Sequence, residues 1–155
     1  MQDYIVKCVP FQELTTKELY EIMVLRQEVF VVEQNCAFLD ADGKDFDSYH
    51  LMIYNSAQQL LAYSRLVPEG LSYENYISIG RVVSHPSTRG SGIGKDLMLN
   101  SIAWLEQLFG KKHLIKIGAQ SYLLPFYEKF GFVSQGEDYI EDGIPHRIMI
   151  KFNTI

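Results

Sequence analysis

The segment that decides the fold runs Arg81-Val82-Val83-Ser84-His85-Pro86-Ser87-Thr88-Arg89-Gly90-Ser91-Gly92-Ile93-Gly94-Lys95. An apolar strand ends at Pro86, an arginine follows at Arg89, and alternating glycines precede a helical pattern of apolar residues from Ile93. A glycine-rich turn between a strand and a helix places several backbone N–H groups at the positive end of the helix dipole. Glycine suits such a turn because a side chain would hold a phosphate away from the backbone, and because such turns often need a positive φ. The segment therefore predicts an anion-binding site suited to phosphate.

The spacing of the glycines excludes two common phosphate-binding motifs. A P-loop has four residues between its first glycine and a Gly-Lys-Ser/Thr triplet, whereas here Gly94-Lys95 precedes Asp96 and Arg89 occupies the first glycine's place. A dinucleotide-binding turn has the pattern Gly-x-Gly-x-x-Gly, whereas this chain has Gly-x-Gly-x-Gly. The pattern that fits is Arg-x-x-Gly-x-Gly, at Arg89, Gly92 and Gly94.

Length and composition indicate a single domain over residues 1–155, with an apolar fraction of 47% that is ordinary for a globular protein. No apolar run approaches the roughly 20 residues that a membrane-spanning helix needs. The first residues lack the basic and apolar segments of a secretory signal, which favours a cytoplasmic location. Cys8 and Cys36 are therefore expected to be free thiols.

The formal net charge of −5 and the pI of about 5.3 argue against a nucleic-acid-binding protein, which would normally carry a basic face. The same negative charge mildly favours a cationic substrate such as an amine.

Apolar periodicity and turn residues predict the element order β-α-β-β-β-α-β-α-β-β. The strands are expected at Tyr4–Pro10, His50–Tyr54, Leu60–Val67, Tyr76–Ser84, Leu114–Ala119, a short strand from Phe132, and Arg147–Phe152. The helices are expected at Thr16–Phe30, Gly92–Phe109 and Ser121–Phe130, with a polar loop over Asn35–Asp47. The order mixes an antiparallel meander with parallel crossovers, so it predicts an α/β or α+β sheet protein.

The arginine-glycine turn, its place after the fourth strand and the element order resemble the GCN5-related N-acetyltransferase (GNAT) family over nearly the whole chain. The resemblance implies a mixed central sheet of six to seven strands, flanked by helices and splayed between the fourth and fifth strands. Acetyl-coenzyme A (acetyl-CoA) would lie in that V-shaped opening as the acyl donor. The residues that the resemblance assigns to its pyrophosphate are Arg89, Gly90, Gly92, Gly94 and Lys95. Those assigned to its pantetheine arm and thioester, through backbone groups, are Val82, Val83 and Ser84.

A second motif, Phe126-Tyr127-Glu128-Lys129-Phe130-Gly131-Phe132, resembles the helix-to-strand segment of the same family. In that family the tyrosine at the position of Tyr127 lies near the cofactor sulfur and commonly serves as general acid. A phenol within hydrogen-bond reach can protonate the thiolate that leaves when an amine attacks the thioester. The alternative for Tyr127 is a packed aromatic side chain of an amphipathic helix.

The segment from Leu25 to Cys36, the acidic loop after it and Glu141-Asp142-Gly143-Ile144-Pro145-His146 are similar to the ElaA branch of the family. The resemblance implies that the loop after the first helix borders the acceptor site. A lysine-like amine titrates at about 10.4 and is protonated at neutral pH, so the reaction needs a proton acceptor. The candidates are Glu33, His50 and His146. Glu33 is the first choice because it ends the helix that faces the opening, and a solvated helix-end glutamate is the alternative.

Four carboxylates crowd the polar loop: Asp40, Asp42, Asp45 and Asp47. An EF-hand is excluded because Gly43 is fourth rather than sixth counted from Asp40, and Leu51 stands at position twelve. His50 and His85 lack the paired spacing of zinc ligands, so no metal is predicted. The loop is then interpreted either as a negative surface that attracts a cationic acceptor or as a solvated turn.

These observations predict a cytoplasmic N-acetyltransferase that moves an acetyl group from acetyl-CoA to a primary amine of a small molecule or peptide. The amine would attack the thioester directly, without a covalent enzyme intermediate. No nucleic-acid or membrane partner is expected, and a homodimer is an open option. Three alternatives stay open: a non-catalytic acyl-CoA-binding or sensor module, a transferase of a longer acyl-CoA, and a transferase whose glycine turn binds another phosphate ligand.

Overall fold

The computed structural model describes residues 3–152. Their α-helices are α1 (Thr16–Arg26), α2 (Ile93–Phe109) and α3 (Leu124–Glu128). Their strands are β1 (Ile5–Pro10), β2 (Tyr49–Tyr54), β3 (Leu60–Val67), β4 (Ser78–Ser84), β5 (Ile115–Gln120), β6 (Phe132–Glu141) and β7 (Ile144–Lys151). The predicted order of strands and helices is confirmed.

The strands form two antiparallel groups that meet at one point. The first group has the order β1-β2-β3-β4 and the second the order β5-β7-β6. A parallel bridge joins Ile77, just before β4, to Ile115 at the start of β5. Its hydrogen bonds run from Ile77 N to Leu114 O at 3.3 Å and from Lys116 N to Ile77 O at 3.0 Å. Beyond this bridge β4 and β5 pair with other strands, so the sheet opens between them as the family resemblance implies.

Helices cover both faces of the first group. On β2, Leu51 and Ile53 belong to the core beneath α2, whereas Met52 between them belongs to the core beneath α1. This alternation follows from the period of two along a strand. All three side chains are fully buried, which explains the continuous apolar character of β2. Because helices cover both faces of this group of strands, a ligand can reach it through the opening at the β4 edge.

The first helix continues past the predicted end at Phe30. Thr15 and Glu18 form a reciprocal capping box that starts α1, and a π-helix over Gln27–Glu33 follows it without a break. Gln34 N bonds to Val29 O at 3.1 Å, a step of five residues that defines the wider helix. The π-helix carries Glu33 to the mouth of the opening.

Two further boundaries differ from the prediction. The predicted third helix is a 3-10 turn followed by the five-residue α3, because Pro125 supplies no N–H near its start and Gly131 reverses the chain at a φ of +90°. The last two strands are longer than predicted and form a hairpin. Its turn, Asp142-Gly143, has positive φ at both residues, as a type I′ turn requires.

Cys8 and Cys36 are free thiols, as predicted. Within residues 3–152, no helix combines the length and apolar character needed to cross a membrane.

Candidate active site

The glycine turn occupies the predicted place between β4 and α2. After a short 3-10 turn over Pro86–Thr88, the backbone adopts positive φ at Gly90 (+83°) and Gly92 (+86°), and α2 begins at Ile93. Gly92 caps the helix without a side-chain hydrogen bond. A Cβ at either glycine would meet nothing within 4 Å, so the turn faces open space. It therefore presents the N-terminal end of a long helix to solvent, as an anion site requires.

A cavity of about 910 Å³ fills the opening between β4 and β5. Several predicted site residues line it: Glu33, Val82, Val83, Ser84, Arg89, Gly94 and Tyr127. The remaining predicted residues, Gly90, Gly92 and Lys95, lie in the turn beside it and are not among its lining. The structure thus brings together segments that are far apart in the sequence, from the π-helix, β4 and α3.

A β-bulge interrupts β4 where it borders the cavity. Tyr63 pairs with Val83 and Arg65 with Gly80, so Ser64 alone opposes both Arg81 and Val82. Arg81 has a φ of +49°, a left-handed conformation that costs about 1–3 kcal/mol for a residue with a side chain. A bulge takes one residue out of the ladder and re-aims the backbone, so it frees backbone groups beside the cavity.

Tyr127 lies on α3 and is 8% exposed. Its ring makes edge contacts with Phe126 at 5.1 Å and with Phe132 at 6.1 Å between centroids. Burial, reinforced by Tyr122 nearby, raises the pKa of the Tyr127 phenol well above its ordinary value. At neutral pH the phenol is protonated and is a hydrogen-bond donor in the wall of the cavity.

Glu33 and Arg89 form an ion pair across the mouth of the cavity. Arg89 Nη1 lies 2.7 Å from Glu33 Oε1, and both side chains are substantially exposed. The residue predicted as proton acceptor is thus bound to the residue predicted to hold pyrophosphate, a contact that the sequence did not indicate.

The two histidines proposed as alternative bases occupy different environments. His50 is fully buried, donates from Nε2 to Asp45 O at 2.9 Å and accepts at Nδ1 from the Tyr63 hydroxyl at 2.7 Å. Burial lowers the pKa of His50, so the ring is neutral at neutral pH. Because both of its nitrogens already have hydrogen-bond partners, the prediction of His50 as a candidate base is wrong. His146 lines the cavity, donates from Nδ1 to Ile144 O at 2.7 Å, and has Nε2 3.5 Å from Glu141 Oε2. One ring nitrogen of His146 is therefore bound to the backbone, and the other lies beside the Glu141 carboxylate.

Arginines neutralise three of the four carboxylates in the acidic loop, so the interpretation as a negative surface is wrong for those three. The interpretation as a solvated turn is wrong for the buried side chains of Asp40 and Asp45, whereas Asp42 is exposed and accepts a hydrogen bond from Lys44 N at 3.0 Å. Asp45 lies 2.7 Å from Arg26 Nη1 and 3.1 Å from Arg65 Nη1. Asp40 lies 2.7 Å from Arg26 Nε and 2.8 Å from Arg81 Nε, and Asp42 lies 2.7 Å from Arg65 Nη1. We call these six side chains the arginine–aspartate cluster: Arg26, Asp40, Asp42, Asp45, Arg65 and Arg81. No group of metal-binding residues is found in the part of the chain that the structure describes.

The sequence also did not indicate a pair of tyrosine hydroxyls that meet beside β5. A Cβ at Gly118 of β5 would overlap the Tyr139 hydroxyl and lie 3.2 Å from the Tyr73 hydroxyl. The missing side chain at Gly118 therefore makes room for both phenols beside the cavity. Burial raises the pKa of Tyr73 to about 12, so it is a neutral donor. The sequence did contain one signal for this contact: a glycine inside an apolar strand often marks a place where another group approaches the backbone closely.

The cluster makes stability depend on pH. Burial alone would raise the pKa of Asp42, but hydrogen bonds and charge from Arg65 outweigh it and hold that pKa well below its usual value. Unfolded aspartates titrate at about 3.9, so the unfolded chain binds more protons and stability falls as pH drops below about 4. We expect Asp42→Asn to flatten this loss in chemical denaturation between about pH 5 and 3. The exposed Asp47→Asn is the control, and an unchanged slope in Asp42→Asn would contradict the prediction.

The profile of the acetyltransferase (GNAT) domain family matches residues 17–152. This chain belongs to the GNAT acetyltransferase family. Among relatives of this GNAT chain, a UPF0039 protein of Schizosaccharomyces pombe is 42% identical over 136 residues, which cover 88% of this chain and 89% of the relative. Protein ElaA of Escherichia coli is 38% identical over 136 residues, which cover 86% and 87%.

Solved structures give the same assignment. An acyl-CoA N-acyltransferase from Pseudomonas aeruginosa matches this GNAT chain with a TM-score of 0.89 and 40% identity, over 96% of this chain and 99% of that one. The crystal structure of Escherichia coli ElaA matches with a TM-score of 0.88 and 33% identity, over the same shares. The predicted GNAT fold and ElaA-like branch are confirmed, and the family's activity is acyl transfer.

Proposed function

We propose that this GNAT protein transfers an acetyl group from acetyl-CoA to a primary amine by direct attack on the thioester. The observation that carries the proposal is one continuous cavity whose lining includes Arg89 and Gly94, the β4 bulge and Tyr127. These are the groups needed at the phosphate, the carbonyl and the sulfur of an acyl-CoA.

The residues present fit acetyl-CoA as a substrate. Arg89, Lys95 and the N–H groups of the turn at Gly90, Gly92 and Gly94 would hold the pyrophosphate, because this turn faces open space at a helix N-terminus. The backbone of Val82, Val83 and Ser84 would align the pantetheine arm, and the bulge would aim an N–H donor at the carbonyl. When bound, the thioester supplies the activated acetyl group. A donor aimed at the developing oxyanion stabilises the transition state more than the ground state.

The proposed proton movements begin and end on side chains in the cavity wall. The amine must lose a proton to become a nucleophile, and we assign its acceptor to Glu33, directly or through water. His146 is the second candidate for this step because it lines the cavity, and because a neutral ring that donates from Nδ1 to Ile144 O carries no proton on Nε2. As the C–S bond breaks, Tyr127 donates its phenolic proton to the leaving thiolate, and the second proton of the attacking nitrogen returns to the phenol through water.

The first test is thermal unfolding with and without acetyl-CoA, with ATP and NAD as controls. Ligand at about 100 times its Kd stabilises the folded state by about 2.7 kcal/mol, which raises Tm by several degrees in a domain of this size. A shift specific to acetyl-CoA supports the proposal, and thiol release on adding a panel of primary amines then identifies the acceptor. An equal shift with ATP points to another phosphate ligand. Binding without turnover across the panel points to a sensor module.

Substitution of Gly92 tests whether the glycine turn binds the pyrophosphate. We expect Gly92→Ala to lower acetyl-CoA affinity about tenfold or more, because a residue with a Cβ is strained at a φ of +86° and its rearrangement displaces the N–H groups. Gly70→Ala is a matched control, since Gly70 has the same φ and equally open surroundings in the β3–β4 connection. Both variants lose similar stability, and calorimetric titration measures affinity. Equal affinity losses in the two would contradict the assignment of the turn.

Substitution of Glu33 tests whether its ion pair with Arg89 connects pyrophosphate binding to proton acceptance. We expect Glu33→Gln to raise acetyl-CoA affinity by up to about fivefold, because removing an exposed ion pair of at most about 1 kcal/mol frees Arg89 for phosphate. The same variant should reduce turnover about tenfold or more, because the proposed base is lost. Glu28→Gln, on the same π-helix but outside the cavity lining, is the control. Unchanged turnover in Glu33→Gln would transfer the role of base to His146.

A further inference from the structure

The β4 bulge has an unusual residue at its turning point. Arg81 has a φ of +49°, in a region that glycine adopts freely and bulky residues rarely do. The chain uses glycine at many other positive-φ positions, including Gly90 and Gly92, but not here. An arginine in this conformation needs a contact that holds it there.

The side chain of Arg81 supplies that contact. Its Nε lies 2.8 Å from Asp40 Oδ1, and its Nη2 donates to Asp40 O at 2.9 Å. Asp40 is fixed in turn by Arg26 Nε, which donates to its Oδ2 at 2.7 Å, and the Arg26 side chain is fully buried in α1. Arg81 Nη2 also donates to Asp42 Oδ2 at the longer distance of 3.5 Å, so the bulge is tied mainly through Asp40 to Arg26, the most buried cation of the arginine–aspartate cluster.

The charges of the cluster balance within it. The cluster contains three arginines and three aspartates. Both terminal nitrogens of Arg65 donate to the Asp42 carboxylate, at 2.7 and 2.9 Å. Although Arg81 and Asp40 line the cavity, each charge is already paired with an opposite one. This arrangement suits a structural tie better than a group that binds a charged substrate.

We propose that Arg81 is a positioning residue, whose ion pair with Asp40 maintains the β4 bulge and so aligns the backbone N–H group of Val82 with the acyl carbonyl. The inference rests on the proposed function, because the alignment matters only if an acyl thioester lies along β4. It adds to that function a residue that acts through the backbone and does not contact the reacting atoms.

Two variants of Arg81 separate the effect of its ion pair with Asp40 from the effect of the strained backbone at position 81. Arg81→Ala removes the tie and keeps a Cβ at a strained φ, so we expect the bulge to relax. Arg81→Gly removes the tie, but glycine adopts this φ without strain, so we expect the bulge to persist in part. Asp40→Asn keeps the shape of the partner and weakens the pair, which provides a second route if an Arg81 variant folds poorly.

The readout is the infrared stretch of acetyl-CoA labelled at its acetyl carbonyl, compared between bound and free ligand. An N–H donor lowers this frequency, so wild type should show a downshift. Arg81→Ala and Asp40→Asn should lose most of it, with acetyl-CoA affinity within about threefold of wild type. Arg81→Gly should keep at least half of the downshift. A wild-type downshift in Arg81→Ala or in Asp40→Asn would overturn the proposal.

The amide NMR shifts of Val82 and Val83, recorded without ligand, separate this inference from the proposed function. If wild type binds no acetyl-CoA, the proposed function fails. Large amide shift changes in Arg81→Ala and smaller ones in Arg81→Gly would still support the tie between Arg81 and the bulge. Unchanged shifts in both variants would overturn it.

Discussion

We expect Tyr127→Phe to reduce turnover of acetyl-CoA with an amine about 100-fold or more, while acetyl-CoA affinity stays within about twofold of wild type. The substitution removes only the phenolic oxygen, so the ring keeps its edge contacts with Phe126 and Phe132. A general acid contributes typically about 10²–10⁴-fold to a rate, and the leaving thiolate would lose its proton donor. Steady-state kinetics gives turnover, and calorimetric titration with acetyl-CoA gives affinity.

Tyr122→Phe is the matched control for this prediction. Tyr122 also lines the cavity and lies five residues before Tyr127, but it is 69% exposed at the rim. The same atom is removed there from an exposed phenol, whose effect on the pKa of Tyr127 is smaller than that of burial, so turnover should fall far less than in Tyr127→Phe. A collapse of acetyl-CoA affinity in Tyr127→Phe, with turnover preserved at saturation, would show that Tyr127 serves packing and would remove it from the mechanism.

We expect Arg26→Met to lower the free energy of unfolding by about 3–5 kcal/mol, because it leaves buried carboxylates without their counterion. The Arg26 side chain is fully buried and holds both Asp40 and Asp45 at 2.7 Å. Methionine fills a similar volume but supplies no donor. Chemical denaturation at pH 7 measures the loss.

Lys7→Met breaks an ion pair of equal length in a different environment. Lys7 Nζ lies 2.7 Å from Glu18 Oε2, but the lysine side chain is 42% exposed, and such pairs contribute at most about 1 kcal/mol. A loss of similar size in the two variants would mean that burial does not set the strength of the cluster. A smaller loss in Arg26→Met at pH 3 than at pH 7 is also expected, because protonated aspartates no longer need the counterion.

The sequence was sufficient to predict the structure wherever neighbouring residues fix the backbone conformation. Glycines at Gly90 and Gly92 require positive φ, and the change from strand to helix pattern around them locates the turn. Leu60–Val67 was predicted at the bounds the structure has, because its apolar run is buried on both faces. The last hairpin was underestimated because much of β6 is exposed and lacks a clear apolar alternation, although Asp142-Gly143 carried a turn signal.

The sequence by itself therefore determined the order of strands and helices, the glycine turn and the place of Tyr127 near Gly131, because each is encoded by neighbouring residues, and the resemblance to the GNAT family supplied the fold. Only the tertiary structure decided how the charges pair. Arg26 and Asp40 are 14 residues apart, Arg81 and Asp40 are 41 apart, and Glu33 meets Arg89 across the cavity. An aspartate in a loop has the same local pattern whether it is solvated or buried against an arginine. The distinction depends on which distant segment the fold brings to it, and periodicity contains no information about that.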